Sequence, residues 1–481
     1  MKFPGFVGSS YVSQSRRLAA QRCVNWYVEN IEVGDETFSS ALYPTPGCEE
    51  RHVFDESPVR GMLEHNGRCF VAVGQTFYEI YSDKTTTPTV RGTIAYATTP
   101  VMLVANDMGD EVFITSAGVG YIFTLSTDAF ATVLASGSDQ GAFLDGFFLS
   151  LDDSTSTLRL SDLNDGTTWD ATQYAQRTAG ADPWQAVVVT HRDIWLFGKQ
   201  SSEVWYNAGT SPFPFAAIPG AFLEQGIVAP YSAKRLGNTV MWLGSSDDGA
   251  GVVWMASGYS PQRISTHAVE YAIQGYVRAG ISITDAVAWT YQEDGHNFYG
   301  LNFPSAKATW VFDSSTGLWH ERGTWNIEDV EYKAWRPQYH VYAFNKHLVG
   351  DRSTGTVYEM SIEKFTEAGG GPIRRLRRTP HVAANEDWMF YNSMQVELET
   401  GLGLKTGQGS DPQVMLRWSD DGGETWGNER WASAGKRGNF GVRTIWRRLG
   451  RGYDRVYEIA VTDPIPWRVI GAYIDFNVTN R

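Results

Sequence analysis

Seven short segments spread along the sequence follow one pattern: an apolar strand, a polar or glycine-rich turn, and a second apolar strand. They begin at Arg68, Glu111, Gly146, Arg192, Thr239, His296 and Tyr339, and successive starts are 43, 35, 46, 47, 57 and 43 residues apart. A period of about 40 to 50 residues with one hairpin in each unit is typical of β-propeller blades. A single four-stranded blade cannot bury both of its faces, but a ring of blades buries them and leaves only short edges.

The repeat therefore predicts an all-β fold with a β-propeller of six or seven blades over residues 61–365. Near-continuous apolar runs such as "CFVAV" and "IWLFG" favour inner strands that are covered on both faces. The composition agrees, because 18 Trp and 49 Gly suit many short, tightly turned strands. An array of β-sandwiches whose hairpins share this spacing by chance is the alternative.

The composition changes after Met360, where "EAGGGPIRRLRRTPHV" combines three consecutive glycines with two prolines. Glycine and proline at this density indicate a domain boundary, and we assign a linker to residues 366–380. Beyond it, segments such as "MFYNSMQVELETG" alternate with a period of two, which predicts a C-terminal β-sandwich-like domain over residues 381–481. Residues 1–60 lack the blade pattern, and we expect them to close the propeller ring or to dock on the C-terminal domain.

The cysteine content and the charge limit the possible environments of the chain. Cys23, Cys48 and Cys69 are too few and too irregular for a disulfide framework or a zinc site, so we expect reduced thiols. No stretch approaches about 18 consecutive apolar residues, and we expect no membrane insertion. The net charge of −14 argues against general affinity for DNA or membrane surfaces, although a conduit with acidic walls would let DNA slide.

The segment "LRWSDDGGETWGNERW" contains the pattern S-x-D-x-G-x-T-W, which is similar to the Asp-box of sialidases and related propellers. The pattern is formed by Ser419, Asp421, Gly423, Thr425 and Trp426, and a degenerate second copy is formed by Asp162, Asn164, Gly166, Thr168 and Trp169. In such a turn the Asp side chain accepts hydrogen bonds from N–H groups, Gly permits positive φ, and Trp packs beneath the hairpin. We therefore interpret the box as a structural device rather than as a catalytic site.

Sequence motifs for catalysis are missing. The chain has no dinucleotide-binding glycine motif, no Walker loop, no H-E-x-x-H and no G-x-S-x-G, and its nine histidines are scattered without ligand spacing. We expect no enzyme activity, no metal site and no cofactor. A sialidase-like or glycan-binding β-propeller remains the alternative, because the arginine, tyrosine and glutamate content does not refute it. A host-encoded propeller scaffold is a third possibility.

Basic residues are concentrated in the last quarter of the chain, at Arg374, Arg375, Arg377 and Arg378 of the linker and at Arg443, Arg447, Arg448 and Arg451 further on. One interpretation is a nucleic-acid patch. Because the later arginines alternate with apolar residues, as in "VRTIWRRL", we favour strands whose outward arginines pair with an acidic surface of a neighbouring subunit. These eight arginines are the candidate contacts with another subunit or with DNA.

Several segments resemble one family of phage proteins. "RRLGRGYDRVYEIAVTDP" near the C-terminus, "RCVNWYVEN" and "LYPTPGCEE" near the start, and "STGLWHERGT" in between are similar to the packaged-DNA stabilisation proteins, the tail hub or nozzle proteins of short-tailed bacteriophages. The resemblance covers most of the chain and is most specific in the C-terminal segment.

This resemblance implies a structural virion protein with a propeller and added β domains. Such hubs assemble as a ring, usually of about six copies, below the portal and its head-to-tail adaptor ring. They retain the packaged DNA, let it exit at infection without sequence-specific contact, and carry tail fibre, spike or needle proteins. The family has no catalytic residues to transfer. The implied location is the virion tail, assembled in the bacterial cytoplasm, while the copy number, the channel-lining residues, the distal partner and the host stay open.

Overall fold

The computed structural model describes residues 1–31, 40–177, 182–246, 249–384 and 387–479. These residues form 43 β-strands, one α-helix and one short 3-10 helix. None of the helices in the described part of the chain is long and apolar enough to span a membrane. The strands form a ring of blades, which is a β-propeller, followed by a two-sheet β-sandwich.

The N-terminal segment contributes strands to both parts of the molecule. Its five strands are β1 (Tyr11–Val12), β2 (Ala20–Val24), β3 (Trp26–Asn30), β4 (Ser40–Pro44) and β5 (Gly47–Val53). The first four belong to the sheets of the sandwich, whereas β5 is the outermost strand of a propeller blade. The segment thus supplies strands to the sandwich and the outermost strand to one blade.

The first three blades follow one another as simple antiparallel meanders, each running outward from the propeller axis. Blade 1 is β6 (Val59–His65), β7 (Arg68–Val73), β8 (Thr76–Ile80) and β9 (Thr89–Thr93). Blade 2 is β10 (Met102–Ala105), β11 (Glu111–Ser116), β12 (Gly118–Thr124) and β13 (Ala129–Ser138). Blade 3 is β14 (Gln140–Leu144), β15 (Phe147–Asp152), β16 (Thr157–Leu160) and β17 (Tyr174–Gln176).

Blades 4 and 5 carry the first irregularities of the ring. Blade 4 is β18 (Trp184–Thr190), β19 (Asp193–Gly198), β20 (Ser202–Asn207) and β21 (Phe215–Leu223). Blade 5 begins with two short strands, β22 (Gly226–Ile227) and β23 (Lys234–Leu236), on either side of the 3-10 helix Pro230–Ser232. Both pair with β24 (Thr239–Ser246), so they share the innermost position. The blade then continues with β25 (Gly249–Ser257) and β26 (Ser260–Arg263). The helix α1 (His267–Arg278) then leads to blade 6.

Blades 6 and 7 complete the ring. Blade 6 is β27 (Val287–Glu293), β28 (His296–Phe303), β29 (Ala308–Asp313) and β30 (Leu318–Glu321), and a separate hairpin, β31 (Gly323–Asn326) and β32 (Glu331–Ala334), follows it. Blade 7 is β33 (Pro337–Ala343), β34 (Lys346–Asp351) and β35 (Thr356–Ser361), with β5 as its fourth strand. The innermost strand of each blade contacts that of the next, and β33 contacts β6. Among the described residues the propeller therefore has seven blades.

The apolar runs predicted as inner strands are the second strands of their blades. They include β7 and β19, which are almost completely buried, whereas the innermost strand β10 is only half-buried. A second strand has a strand on each side and a blade on each face, while an innermost strand faces the axial cavity. One apolar cluster lies at each of the seven blade interfaces, for example Phe70, Ile114 and Phe123 between blades 1 and 2.

The sandwich is formed by β36 (Arg375–Ala383), β37 (Trp388–Leu398), β38 (Gln413–Ser419), β39 (Arg430–Ser433), β40 (Thr444–Arg447), β41 (Arg451–Gly452), β42 (Asp454–Val461) and β43 (Val469–Thr479). One sheet has the order β2-β36-β42-β38-β39, and the other has the order β3-β4-β43-β37-β40. A core cluster that includes Trp26, Tyr457 and Trp467 lies between them. The first sheet continues into blade 6, because β2 pairs in parallel with β30. Propeller and sandwich therefore share one ten-stranded sheet.

Candidate functional site

The arginines of the predicted linker lie inside the molecule, at the junction of propeller and sandwich. Strand β36 begins at Arg375 and lies between β2 and β42, so the predicted linker ends in a central strand of the sheet. Arg375 and Arg377 are fully buried, and Arg374 is 9% exposed. The expectation that these side chains contact another subunit or DNA does not fit this burial. They hold the two parts of the chain together.

Arg377 binds the N-terminal segment to the sandwich. Its guanidinium donates to the carbonyl oxygens of Phe6 (2.6 Å), Gly5 (2.9 Å) and Ser9 (3.0 Å) and to Oε1 of Gln21 (2.8 Å). Burial lowers the pKa of Arg377 to about 10. The backbone oxygens therefore replace the water that a guanidinium binds in solution.

Arg375 meets a second buried charge. Its Nη2 donates to the Thr45 carbonyl oxygen at 3.4 Å. Burial lowers the pKa of Arg375 to about 10, and the Glu367 carboxyl group counteracts part of this decrease. Burial raises the pKa of Glu367 to about 7, although Arg322 and Arg375 oppose this. Buried ionisable groups of both signs therefore lie at the junction of the two domains.

Arg378 belongs to the Asp-box region of the sandwich. Its Nη2 lies 2.8 Å from Glu458, and Arg417 donates to the other oxygen of the same carboxylate at 2.7 Å. Both guanidinium groups also lie against the ring of Trp426, at 4.5 and 5.0 Å from its centroid. Trp426 of the box therefore packs over two arginines that pair with the buried Glu458 carboxylate, and this packing is structural.

The Asp-box forms a closed turn after β38. Asp421 Oδ1 accepts from the Ser419 hydroxyl at 2.6 Å and from the Thr425 N–H at 2.9 Å, while Oδ2 accepts from the Thr425 hydroxyl at 2.5 Å. These hydrogen bonds, the one from Ser419 first, hold the pKa of Asp421 well below its usual range. Gly423 has φ of 94° and donates to Ser419 Oγ at 2.7 Å. A carboxylate whose acceptor sites are taken up in this way is a poor proton donor or acceptor for catalysis.

The degenerate copy in blade 3 reproduces only part of this turn. Trp169 Nε1 donates to the Gly166 carbonyl at 2.8 Å, as Trp426 Nε1 donates to the Gly423 carbonyl at 3.2 Å. The local carboxylate acceptor is Asp165, which binds the N–H of Thr167 at 2.9 Å. The position of Asp421 is filled by Asn164, which has φ of 57°.

The four later arginines lie at the surface, from the residue before the edge strand β40 to the first residue of β41. Arg443, Arg447, Arg448 and Arg451 are exposed. Arg443 Nε donates to Gln395 Oε1 at 2.9 Å, and the guanidinium of Arg451 lies 4.5 Å from the centroid of Trp388. None of the four forms an ion pair with a carboxylate in the described part of the chain. These four side chains form the exposed arginine edge of the sandwich.

A histidine connects blade 6 to the N-terminal strand β3. His296 lies between Asp313, at 2.7 Å from Nδ1, and Glu29, at 2.7 Å from Nε2. These contacts, the Asp313 hydrogen bond first, raise the pKa of His296 to about 9. Protonated His296 therefore links the propeller to the sandwich through Glu29.

An opening on the propeller axis was not predicted from the sequence. It lies at one end of the propeller axis and is lined by residues of several blades, among them Asp285, Gln338 and Arg352. These residues are far apart in the sequence and match no motif, so only the ring brings them together. The repeat period of the sequence predicts where the blades lie, but it does not predict which of their loop residues meet at the axis.

The burial of Arg377 predicts a large effect of its removal. Arg377→Met should lower the free energy of unfolding by about 3 to 5 kcal/mol, because the carbonyl groups around it lose a buried charged donor. Arg443→Met is the matched control and should change it by less than about 0.5 kcal/mol, because Arg443 is exposed. Urea unfolding measures both, and equal effects of the two substitutions would contradict the assigned role of Arg377.

The His296 contacts predict a pH dependence. Because the folded-state pKa lies above the unfolded value of 6.5, their stabilisation is complete below pH 6.5 and is lost as the pH rises through about 9. The urea midpoint of the wild type should therefore fall between pH 6.5 and 9 more steeply than that of His296→Gln. Parallel pH profiles of the two proteins would show that the histidine is not protonated in this way.

The sequence matches two family models that together span nearly the whole chain. The model described as bacteriophage P22 Gp10, β-propeller, matches residues 1–364, and the model described as bacteriophage P22 Gp10, β-sandwich, matches residues 374–477. No curated protein matches the chain. The order of the two models agrees with the propeller and the sandwich described above.

Some solved structures are similar in shape at low identity. The N-terminal domain of Nup159 is 12% identical, with a TM-score of 0.42 and coverage of 71% of this chain and 99% of that one. The extracellular domain of BT4673 from B. thetaiotaomicron is 8% identical, with a TM-score of 0.45 and coverage of 74% of this chain and 45% of that one. With TM-scores below 0.5, these likenesses carry no argument. The two family models together cover most of the sequence, and the chain therefore belongs to the bacteriophage P22 Gp10 family of phage structural tail proteins.

Proposed function

We propose that this chain is the tail hub, or nozzle, of a short-tailed phage. As a ring of copies, it extends the DNA channel below the portal and the head-to-tail adaptor, retains the packaged DNA and lets it exit at infection. Membership of the P22 Gp10 family supports a structural role in the tail. The protein works through assembly in the virion, and the proposal assigns it no catalytic step and no cofactor.

The observation that carries the proposal is the exposed arginine edge. Four arginines without an ion-pair partner in the described chain lie on one edge of the sandwich, in a protein whose net charge is −14. Such an edge is complementary to the predominantly acidic surface of another copy or of the adaptor ring. Electrostatic complementarity of this kind orients partners and selects against wrong ones. A repeated head-to-tail contact between this edge and an acidic surface gives a closed ring when the rotation from one copy to the next closes on itself.

The buried junction supports the same function. The ten-stranded sheet and the arginine contacts hold the propeller and the sandwich in one arrangement. A hub has to transmit contacts between the adaptor above and fibre, spike or needle proteins below, and a fixed arrangement of domains suits that task. Because the chain is negatively charged, it repels DNA, which favours passage of the DNA and disfavours sequence-specific contacts with it. We place the protein in the virion tail, after assembly in the bacterial cytoplasm.

Ring assembly tests the proposal. The purified chain, alone and with the adaptor ring, should form assemblies of about six copies, or form them only on the adaptor. Arg447→Glu with Arg448→Glu should weaken this assembly at least about a hundredfold, because two charges are reversed at the contact. Light scattering and mass photometry measure the assembled mass over a range of concentrations.

The matched control is Arg192→Glu with Arg235→Glu, which reverses two exposed charges on the propeller and should leave the assembled mass unchanged. A chain that stays monomeric and does not bind the adaptor would contradict the proposed hub function. A ring that survives the Arg447 and Arg448 reversals would contradict the arginine edge as its contact.

A further inference from the structure

The negative charge of the chain is concentrated in two neighbouring blades. Residues 102–176, which form blades 2 and 3, contain eleven aspartate or glutamate residues, no lysine and one arginine, Arg159. These two blades therefore account for most of the net charge of −14. A charge difference of this size between parts of one chain creates a field that attracts a basic partner.

Five of these carboxylates lie in two connections between strands. Asp107 and Asp110 lie between β10 and β11, and Asp162, Asp165 and Asp170 lie between β16 and β17. Asp107 and Asp170 are exposed, and the other three are half-buried. In a four-stranded meander, the connection from the first strand to the second lies at the same end as the connection from the third to the fourth. We call these five residues the acidic face.

Contacts between the blades join the two connections into one surface. Glu111, at the start of β11, accepts from the Gly166 N–H at 3.0 Å through Oε2. Burial raises the pKa of Glu111, and the nearby charges of Asp165 and Asp110 raise it further, while the Gly166 hydrogen bond opposes the increase. The carboxylates of blade 2 and blade 3 therefore act on the same place and form a single negative patch.

The acidic face has no basic partner within the chain. In blades 2 and 3, the carboxylates of Asp128 and Asp145 pair with arginines. Across the residues that the structure describes, the five carboxylates of the acidic face form no such ion pair. The side chains of Asp107 and Asp162 also accept no hydrogen bond from a described residue. Their charges are thus available to a partner, as are those of the arginine edge.

Both surfaces also carry exposed apolar side chains. Met108 and Leu163 lie in the two connections of the acidic face, and each is more than half exposed. Trp431 and Phe440 are exposed to the same extent beside the arginine edge, because Trp431 lies on β39, which contacts β40, and Phe440 lies between these two strands. Exposed apolar groups with charges around them are typical of surfaces that bind another protein.

The two surfaces lie on opposite sides of the molecule. The sandwich extends outward from blade 6, where β2 pairs with β30. Blades 2 and 3 are each three blades away from blade 6, one in each direction around the ring of seven. The arginine edge of a chain therefore does not reach its own acidic face, and a contact between them joins two chains head to tail, which is the type of contact that builds rings.

We propose that the arginine edge of one copy docks on the acidic face of the next copy. The proposal rests on the proposed hub function and names the contact on which its ring depends. Opposite charges orient the two copies, while Trp431 and Phe440 meet apolar groups at Met108 and Leu163. Duplex DNA would also attract the arginines, but its phosphate backbone offers no apolar partner to these two rings.

Reversal of the acidic face tests the contact in the full-length chain. Asp107→Lys with Asp162→Lys should weaken ring assembly at least about a hundredfold, as reversal of Arg447 and Arg448 should, because like charges then face each other. The matched control is Glu50→Lys with Asp55→Lys, which reverses two exposed acidic residues outside blades 2 and 3 and should change assembly by less than about twofold. Mass photometry over a range of concentrations, alone and with the adaptor ring, gives the assembled mass.

A mixture of two reversed chains gives the sharpest result. One chain carries Asp107→Lys with Asp162→Lys, and the other carries Arg447→Glu with Arg448→Glu. Neither should assemble by itself, because each would place like charges at every contact. In an alternating ring, every contact again joins opposite charges, so the mixture should assemble within about tenfold of the wild-type concentration. A structural defect in either variant would not be repaired by mixing.

Thermal unfolding shows whether each variant is folded. If the lysine variant is not, Asp107→Asn with Asp162→Asn replaces it and should weaken assembly about tenfold, because two charges are removed and none is reversed. A ring that forms normally after these changes, or a mixture that stays unassembled, would overturn the proposed contact and leave the hub intact. A wild-type chain that remains monomeric with and without the adaptor would overturn both.

Discussion

The pairing of β5 with β35 determines how the rest of the chain is arranged. A propeller whose last blade lacks its fourth strand exposes a long edge, and here the N-terminal segment supplies that strand. Because Gly47–Val53 is held in blade 7, the residues before it have to leave the ring there. The chain after β35 leaves from the same blade. Both ends therefore emerge together, and they build the sandwich from strands of both, with β2 beside β36 and β4 beside β43.

Arginines then fix this shared domain in place. Removal of a guanidinium from water is costly, and Arg377 offsets the cost by donating to carbonyl groups of the N-terminal segment. Arg378 does so through Glu458, which it shares with Arg417. The same residue type on the edge strand β40 has no carboxylate partner in the described chain. The arginines of β36 thus join the domains, and those at the edge strand β40 remain available to a partner.

Features that depend on local sequence could be predicted, and features that depend on distant pairing could not. The hairpins were recognisable because each second strand is apolar on both faces, and the Asp-box turn was recognisable because Ser419, Asp421 and Thr425 bind one another within seven residues. The dual role of the first 60 residues follows from partners more than 300 residues away. The sequence pattern did not separate Arg377 from Arg447, since burial depends on whether a strand is central or at the edge. The residues around the axial cavity meet only when the ring closes.

We propose that copies of this chain form a ring that continues the DNA channel. Electron cryo-microscopy of the chain assembled on the adaptor ring tests this proposal. We predict a closed ring in which the edge strand Thr444–Arg447 lies at the contact with a neighbouring copy or with the adaptor, around an open lumen. Single chains attached at the periphery of the adaptor, without a ring and without a lumen, would contradict the proposed ring.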